Sequence, residues 1–328
     1  MQHALQKDQP ALLLAPMEGV TDSPMRALLS EMGGFSHMVT EFFRVNQLVP
    51  PAKILVRHMA ELKTKSCTAS GTPVFLQLLG GNPERLAETA ALGAKLGAAG
   101  IDLNFGCPAP TVNRHDGGAT LLLYPERILT IVKAVRAAVP SPIPVSVKMR
   151  LGFDDPTSIY KNADMALQGG ASWITVHGRT KSQGYKPPAY WEAIGDLVKS
   201  FPIPIVANGE IWTIDDFRRC RDVTNAKHYM IGRGALANPL LVQQIAEELG
   251  LPHQPTEENW LGWMDRFAAL ALPLSTNPNY VVKRLKQWLR YADQRGNFQG
   301  FQELKRAENL DAFMHTLHGS GVVNLREV

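Results

Sequence analysis

Between Ala11 and about Leu249 the chain alternates between two patterns of apolar positions. Short β-rich apolar runs end in Gly, Pro, Asn or Glu, and each is followed by a stretch with helical periodicity. The runs are Leu12–Ala15, Met38–Glu41, Val74–Leu78, Ile101–Asn104, Val145–Met149, Trp173–His177, Ile205–Ala207 and Tyr229–Ile231. The stretches between them carry proline or acidic residues near their starts, as in Pro83-Glu84 and Pro125-Glu126, which suits the first turn of a helix. Eight strand–helix units over roughly 240 residues predict an α/β fold of the (β/α)8 TIM-barrel type rather than a doubly wound sheet. No GxGxxG follows the first strand, which removes the usual sign of a dinucleotide-binding sheet. After Leu249 the texture changes. Leu251–Thr256 holds two prolines and reads as a linker, and the rest, to Val328, reads as helix without a strand. The expected organisation is a barrel over 1–250 and a small all-helical domain over 251–328.

Composition narrows the setting. Of 328 residues, 45% are hydrophobic and 20% charged, an ordinary globular balance that supports a sizeable core. No apolar run approaches the roughly 18 residues that cross a bilayer, and Met1–Pro10 lacks the basic start and apolar stretch of a signal peptide. Cys67, Cys107 and Cys220 form no CxxC pair and no zinc-type cluster, so no metal and a reducing cytoplasm are expected. A formal net charge of +4 permits a polyanionic partner without requiring one.

In a barrel of this type, catalytic groups come from the C-terminal ends of the strands. Here those ends carry Pro16-Met17-Glu18, Gln77, Asn104 with Cys107, Lys148 with Arg150, His177 with Arg179, Asn208-Gly209-Glu210 and Gly232-Arg233. Taken singly, a lysine at a strand end is usually solvated, a lone histidine structural and a glycine a turn. An amide, a thiol, a lysine and a histidine converging on one rim point instead to a working site. The last two strand ends supply small residues, exposed N–H groups and a guanidinium, which suits phosphate, and a helix beginning near Asn238-Pro239 offers its positive end. A phosphorylated cofactor and a phosphorylated sugar substrate both satisfy these features.

Six segments occur in an order that resembles the tRNA-dihydrouridine synthases. They are Ala15-Pro16-Met17-Glu18-Gly19-Val20-Thr21-Asp22, Leu103-Asn104-Phe105-Gly106-Cys107-Pro108, Val147-Lys148-Met149-Arg150-Leu151-Gly152, Val176-His177-Gly178-Arg179-Thr180, Asn208-Gly209-Glu210-Ile211 and Ile231-Gly232-Arg233-Gly234-Ala235. The match runs from about Leu12 to Leu241. The segment Arg284-Leu285-Lys286-Gln287-Trp288-Leu289 looks like the bacterial C subfamily, which modifies the uridine at position 16. The resemblance implies FMN at the top of the barrel, with NADPH or NADH as reductant. Pro16, Met17 and Glu18 would line one face of the isoalloxazine, Gln77 would meet its pyrimidine edge, and Lys148 would stand near N1 and O2. His177 would hold the cofactor from the next strand, and Asn208, Gly209, Glu210, Gly232 and Arg233 would hold the ribityl chain and phosphate. Cys107 would be the acid that protonates C5 of the base while hydride reaches C6, with Asn104 orienting the base. Cys67 and Cys220 are read as structural. Phe105 departs from the family at a packing position, and Arg114–Ala119 is bulkier than the family's glycine-rich segment.

A base within folded RNA must be extruded before it can be reduced, and the enzyme must grip the surrounding backbone. Between Lys283 and Arg306 seven basic residues face two acidic ones. Helical spacing sets Lys283, Lys286 and Arg290 on one face and Val282, Leu285 and Leu289 on another. A solvated amphipathic helix explains the same pattern, and the resemblance favours contact with the D-loop of tRNA. It assigns that contact to Arg44 and Arg150 at the rim and to Arg284, Lys286, Arg290, Lys305 and Arg306 in the tail. A monomer without an obligate protein partner is expected. Two other readings remain: a flavin barrel enzyme acting on a free pyrimidine, which needs no basic tail, and a tRNA-binding protein without catalysis, which needs no Cys107, Lys148 and His177.

Overall fold

The computed structural model describes residues 3–319 apart from His115, Gln254, Thr256 and Thr276. Part of the expected linker, one residue of the Arg114–Ala119 segment, Met1 and Gln2, and the last stretch of the tail, Ser320–Val328, lie outside the described residues.

The strands are β1 (Ala11–Leu14), β2 (His37–Val39), β3 (Phe43–Arg44), β4 (Val74–Leu79), β5 (Ile101–Phe105), β6 (Val145–Arg150), β7 (Ile174–His177), β8 (Ile205–Asn208) and β9 (His228–Ile231). All pair in parallel, in the order β2-β1-β9-β8-β7-β6-β5-β4, and a β2–β4 pairing closes the ring into a TIM barrel. The eight expected strands form the barrel. The two-residue β3 was not expected: it pairs Phe43 with Leu78 and Arg44 with Leu79, extending the sheet at the C-terminal end of β4.

Both faces of these strands are covered, so they read as nearly continuous buried runs. Alternation sorts the two faces. Outward positions such as Leu76, Leu103, Val147, Val176, Ala207 and Ile231 pack against the helical layer. Inward positions are apolar at the bottom, where Leu13, Val39, Phe75, Trp173, Val206 and Met230 cluster. Higher up they turn polar: Gln77, Asp102, Asn104, Ser146, Thr175, His177 and Asn208 are all buried. Since buried polar groups must find partners, this polar half of the barrel interior is where ordered chemistry can be built.

The helices begin where sequence signals place them. Asn82 caps Pro83–Lys95 by accepting from the Arg85 amide at 2.9 Å, and Thr213 and Asp216 form a reciprocal box at the start of Ile214–Thr224. Beyond Leu240–Glu248 the described chain is helical, over Trp260–Ala271, Pro278–Asp293, Phe301–Leu304 and Leu310–Gly319. These helices pack on the first and last parts of the barrel: Trp260–Ala271 lies against Ser23–Met32, and Pro278–Asp293 against Arg233–Ala237. Trp260, Trp263, Phe267, Trp288 and Phe298 form a chain of ring contacts in their core, and Trp288 Nε1 donates to the Leu236 carbonyl at 3.0 Å. On the outer surface, Arg266 pairs with Glu31 through two bonds of 2.6 and 2.7 Å.

Candidate active site

A cavity of about 670 Å³ opens at the C-terminal end of the barrel, within the range of small-molecule and cofactor sites. Its walls are Ala15–Glu18 after β1, Asn104 and Gly106–Pro110 at β5, Lys148 and Arg150 on β6, His177 on β7, Asn208–Trp212 after β8 and Met230–Gly234 after β9. Tyr185, from the loop after β7, and Tyr291, from the Pro278–Asp293 helix, close its mouth.

The loop after β5 is fixed from several sides. Asn104 Oδ1 accepts from the backbone N–H groups of Gly106 and Cys107, both at 2.9 Å, folding the chain back over the strand end. Asn104 Nδ2 donates to Gln77 Oε1 at 2.9 Å, and Gln77 Nε2 donates to Asp102 Oδ2 at 2.6 Å. Ser146 Oγ donates to the other Asp102 oxygen, also at 2.6 Å. From outside, Arg150 Nε donates to the Gly106 carbonyl at 2.9 Å and Asn113 Nδ2 to the Cys107 carbonyl at 3.2 Å. The Cys107 thiol therefore sits at a defined point on the cavity wall. Burial pushes it above its ordinary value, so it is protonated at neutral pH, as an acid must be.

On the next two strands stand Lys148, in register with Asn104, and His177. Lys148 Nζ donates to Asn208 Oδ1 at 3.1 Å, and burial, reinforced by Arg150, brings its ammonium down to about 8. His177 is driven far below its usual value by burial first, then by Arg150, Lys148, Arg179 and Arg233, and so is neutral. Its Nδ1 is buried without a hydrogen-bond partner among the described residues. A neutral imidazole with an orphaned nitrogen, beside a half-desolvated lysine, fits a ligand that brings polar atoms and negative charge.

The far end of the cavity suits an anion. Gly209 has φ +113°, and a Cβ there would lie 2.8 Å from His177 Cδ2, so only glycine fits. Gly232 precedes the short helix Arg233–Ala237, and a Cβ on it would meet Ala15 Cβ and Met17 Sδ, each at 3.4 Å. The helix that opens on the cavity is this one. The Leu240–Glu248 helix, expected to offer its N-terminus from Asn238-Pro239, starts off the cavity wall. Glu210, on the cavity wall, accepts with its carboxylate from Arg179 and from Trp212 Nε1, the latter at 3.0 Å, so its side chain braces the loop. Arg233 stacks between Tyr185, 4.9 Å away, and Trp212, 4.7 Å away; Trp212 in turn lies 3.7 Å from the Arg295 guanidinium.

Several expected site residues stand differently. Gln77 is fully buried beneath Asn104 with both ends of its amide engaged, and it is not on the cavity wall. Asn104 reaches the wall; its Oδ1 is engaged by the Cys107 loop and one of its two amide N–H groups by Gln77, so it positions that loop. Arg150 is buried, with its N–H groups on the carbonyls of Gly106, Thr180 and Gly184, so it braces two loops rather than reaching outward. Arg284 is also buried: it pairs with Asp22 at 2.9 Å and donates to the Val20 carbonyl, joining the helices to the loop after β1. A buried guanidinium must be paired, and Asp22 satisfies it. Lys286 is half-buried and donates to the Ala307 carbonyl, whereas Arg290, Lys305 and Arg306 are exposed. Arg44 lies at intermediate exposure in a second, smaller cavity. Of the other cysteines, Cys220 is fully buried and burial pushes its thiol up to about 12, while Cys67 sits in a bridge with Pro73.

Sequence reasoning passed over Asp102, Ser146, Trp212, Tyr185 and Tyr291. Asp102 had a usable signal: it is two residues before Asn104 on a strand that is otherwise apolar, hence on the same face. The aromatic residues lie in loops and a helix whose approach to the cavity depends on tertiary packing, and no local pattern marks them.

The dihydrouridine synthase (Dus) family model matches residues 13–314. The tRNA-dihydrouridine(16) synthase of Pseudomonas putida is 46% identical over 284 residues, spanning 85% of this chain and 86% of the relative. The protein of that name from Pseudomonas syringae pv. tomato is 50% identical over 279 residues, spanning 85% and 88%. The one from Neisseria meningitidis serogroup B is 41% identical, spanning 86% of each. Among solved structures, an old yellow enzyme homologue from Zymomonas mobilis aligns with TM-score 0.51 at 14% identity, over 77% of this chain and 92% of its own. Histamine dehydrogenase from Rhizobium sp. 4-9 aligns with TM-score 0.57 at 13% identity, over 85% and 52%. These two likenesses concern the barrel fold.

Proposed function

Because the chain belongs to the dihydrouridine synthase family, we propose that it reduces the C5–C6 double bond of a uridine in the D-loop of tRNA, at position 16, to 5,6-dihydrouridine, with FMN as cofactor and NADPH as reductant. The relatives carry that activity in their name and match over most of both chains. The observation that carries the reading is the Cys107 thiol, protonated and held on the wall of a cavity whose other walls are suited to a flavin and its phosphate.

FMN, when bound, supplies a hydride to C6 of the base, and everything else is done by the chain. Gly209, Gly232 and Arg233 would receive the phosphate, through close backbone approach and one guanidinium. Lys148 would place positive charge beside the ring edge that becomes anionic on reduction, and His177 Nδ1 would find there the partner it lacks in the protein. Pro16 and Met17 pack along one side of the cavity. Cys107 delivers its proton to C5 from the wall of the loop after β5. Arg150, Asn113 and Asn104 hold that loop, so the thiol meets the base without a search. Arg290, Lys305 and Arg306 remain exposed for the RNA backbone, with residues 251–328 as the gripping unit.

The test is reconstitution with FMN, NADPH and unmodified tRNA, with dihydrouridine mapped by sequencing. Reduction at position 16 alone is expected. Reduction at another D-loop uridine would overturn the position, and turnover of free uracil in place of tRNA would overturn the substrate. Cys107→Ala should keep FMN and tRNA binding and lose about 100-fold or more in turnover; unchanged turnover would remove Cys107 from the mechanism.

A further inference from the structure

A second cavity, of about 420 Å³, adjoins the first beyond the Cys107 loop, and Glu18 and Ala109 line both. Its remaining walls are Phe42, Phe43, Arg44, His58, Thr111 and Val112, and Phe42 also reaches the main cavity. None of the residues private to this pocket has a part in the reduction as described above, other than Arg44.

The lining combines an aromatic wall, a hydrogen-bond acceptor and a cation. Phe43 and His58 meet edge to face with centroids 5.2 Å apart, giving a rigid aromatic wall on which a base can stack whatever its identity. The His58 Nε2–H is spent on the Glu41 carbonyl at 2.9 Å, and burial lowers the ring's affinity for a proton, so it is neutral and keeps Nδ1 as an acceptor. Arg44 makes no ion pair among the described residues and supplies the one positive charge of the lining, against Glu18. β3 exists to present this wall: two residues of strand, paired to the end of β4, set Phe43 and Arg44 beside the rim.

Resting on the reading of tRNA as substrate, we propose that this pocket receives the nucleotide next to the reduced uridine, with its base against Phe43 and its phosphate near Arg44. A uridine lowered onto the cavity floor draws its neighbours to the rim, and the shared Glu18–Ala109 edge is where one of them arrives. Stacking that neighbour replaces the stacking lost inside the RNA, which lowers the cost of extrusion. The same chemistry would accept the adenosine half of the nicotinamide donor, and the experiment separates the two.

Phe43→Ala opens the wall, and Thr111→Trp, at an exposed position, fills the pocket without disturbing the core. With the FMN-loaded enzyme, kcat/KM for unmodified tRNA should fall by about tenfold in each variant, while the rate of flavin reduction by NADPH without tRNA stays at the wild-type value. With wild-type enzyme, tRNA carrying an abasic site on the correct side of the target uridine should lose about the same factor, and Thr111→Trp should be indifferent to that change. Slowed flavin reduction with tRNA kinetics intact would assign the pocket to the nicotinamide donor and overturn the proposal. So would wild-type behaviour of both variants, or indifference of the wild type to abasic sites on either side. A wild-type enzyme that forms no dihydrouridine at all would refute the underlying function instead.

Discussion

Replacing Asn104 with alanine removes three hydrogen bonds at once, from Gly106 N, from Cys107 N and to Gln77 Oε1, each 2.9 Å long. Gly106 and Cys107 are half-buried, so water meets part of their need, and a stability loss of about 2 kcal/mol is expected rather than the sum of three full penalties. The carbonyls of Gly106 and Cys107 keep Arg150 and Asn113, so the loop stays folded and the flavin site, built from other strands, stays filled. What is lost is the placement of the thiol. A displacement of about 1 Å costs on the order of 100-fold in a positioned reaction, and that is the expected fall in the rate at which reduced enzyme converts unmodified tRNA in a single turnover. Asn104→Asp sharpens the test. Its second oxygen would face Gln77 Oε1, and Gln77 cannot turn its amide without giving up the 2.6 Å bond to Asp102. Protonating the new carboxyl restores a donor toward Gln77, so this variant should recover rate as pH falls, whereas Asn104→Ala should not. An alanine variant that reduces tRNA within about threefold of wild type, with flavin bound, would show that the loop does not depend on Asn104.

Lys148, brought down to about 8 by burial and Arg150, binds fewer protons in the fold than in the unfolded chain between that value and its ordinary 10.5, so it weakens the cofactor-free protein at neutral pH and less so as pH rises. Lys148→Met should therefore melt higher than wild type without FMN and bind reduced flavin less tightly; a lower melting temperature would refute the assignment. His37 and His228, brought down by burial to about 4 from 6.5, are neutral in the fold, so stability should decline as pH falls through that window, and His228→Leu should flatten the decline in thermal melts. Arg284→Met should cost about 3 kcal/mol in denaturant titrations by taking the cation from Asp22, which keeps Tyr280 and the Met25 amide, while Arg290→Ala should leave stability within about 0.5 kcal/mol and weaken tRNA binding with a shallower salt dependence. The opposite pattern, stable Arg284→Met with weak RNA binding, would return Arg284 to the RNA surface.

The barrel was legible because its strands are buried on both faces and end in polar residues, a texture that neither helices nor half-exposed strands share. The cavity rim was legible for the same reason: a polar side chain at the last inward position of an apolar strand is conspicuous. The direction of those side chains was not. Gln77 and Asn104 both stand near the ends of apolar strands, yet one lies beneath the other: Gln77 is in register with Asp102, two residues below Asn104, and gives its amide to that carboxylate. Arg284 shows the same limit in a helix. It lies between Val281 and Trp288 on the buried face, where period alone could put it, but a buried guanidinium makes sense only with a carboxylate, and Asp22 is 262 residues away. β3 escaped notice since a two-residue strand has no period at all.

The cations in and behind the cavity wall differ in how fully the protein engages them. Arg179 belongs to Glu210, and Arg150 to three backbone carbonyls. Lys148 has an amide for its partner and Arg233 two aromatic faces, and neither has an ion pair among the described residues. They stand on β6 and just after β9, three strands apart around the barrel mouth. Two sparsely engaged charges in a half-desolvated cavity are costly to the free protein and suit a ligand that is anionic in two places. A neutral pyrimidine would satisfy neither, and a ligand whose only anionic group is a phosphate would satisfy one. A flavin mononucleotide would satisfy both: its phosphate would suit Arg233 in every redox state, and Lys148 would serve the ring that takes up negative charge on reduction. The protein should therefore hold the reduced cofactor more tightly than the oxidised one, and Lys148, not Arg233, should be the residue on which that difference depends.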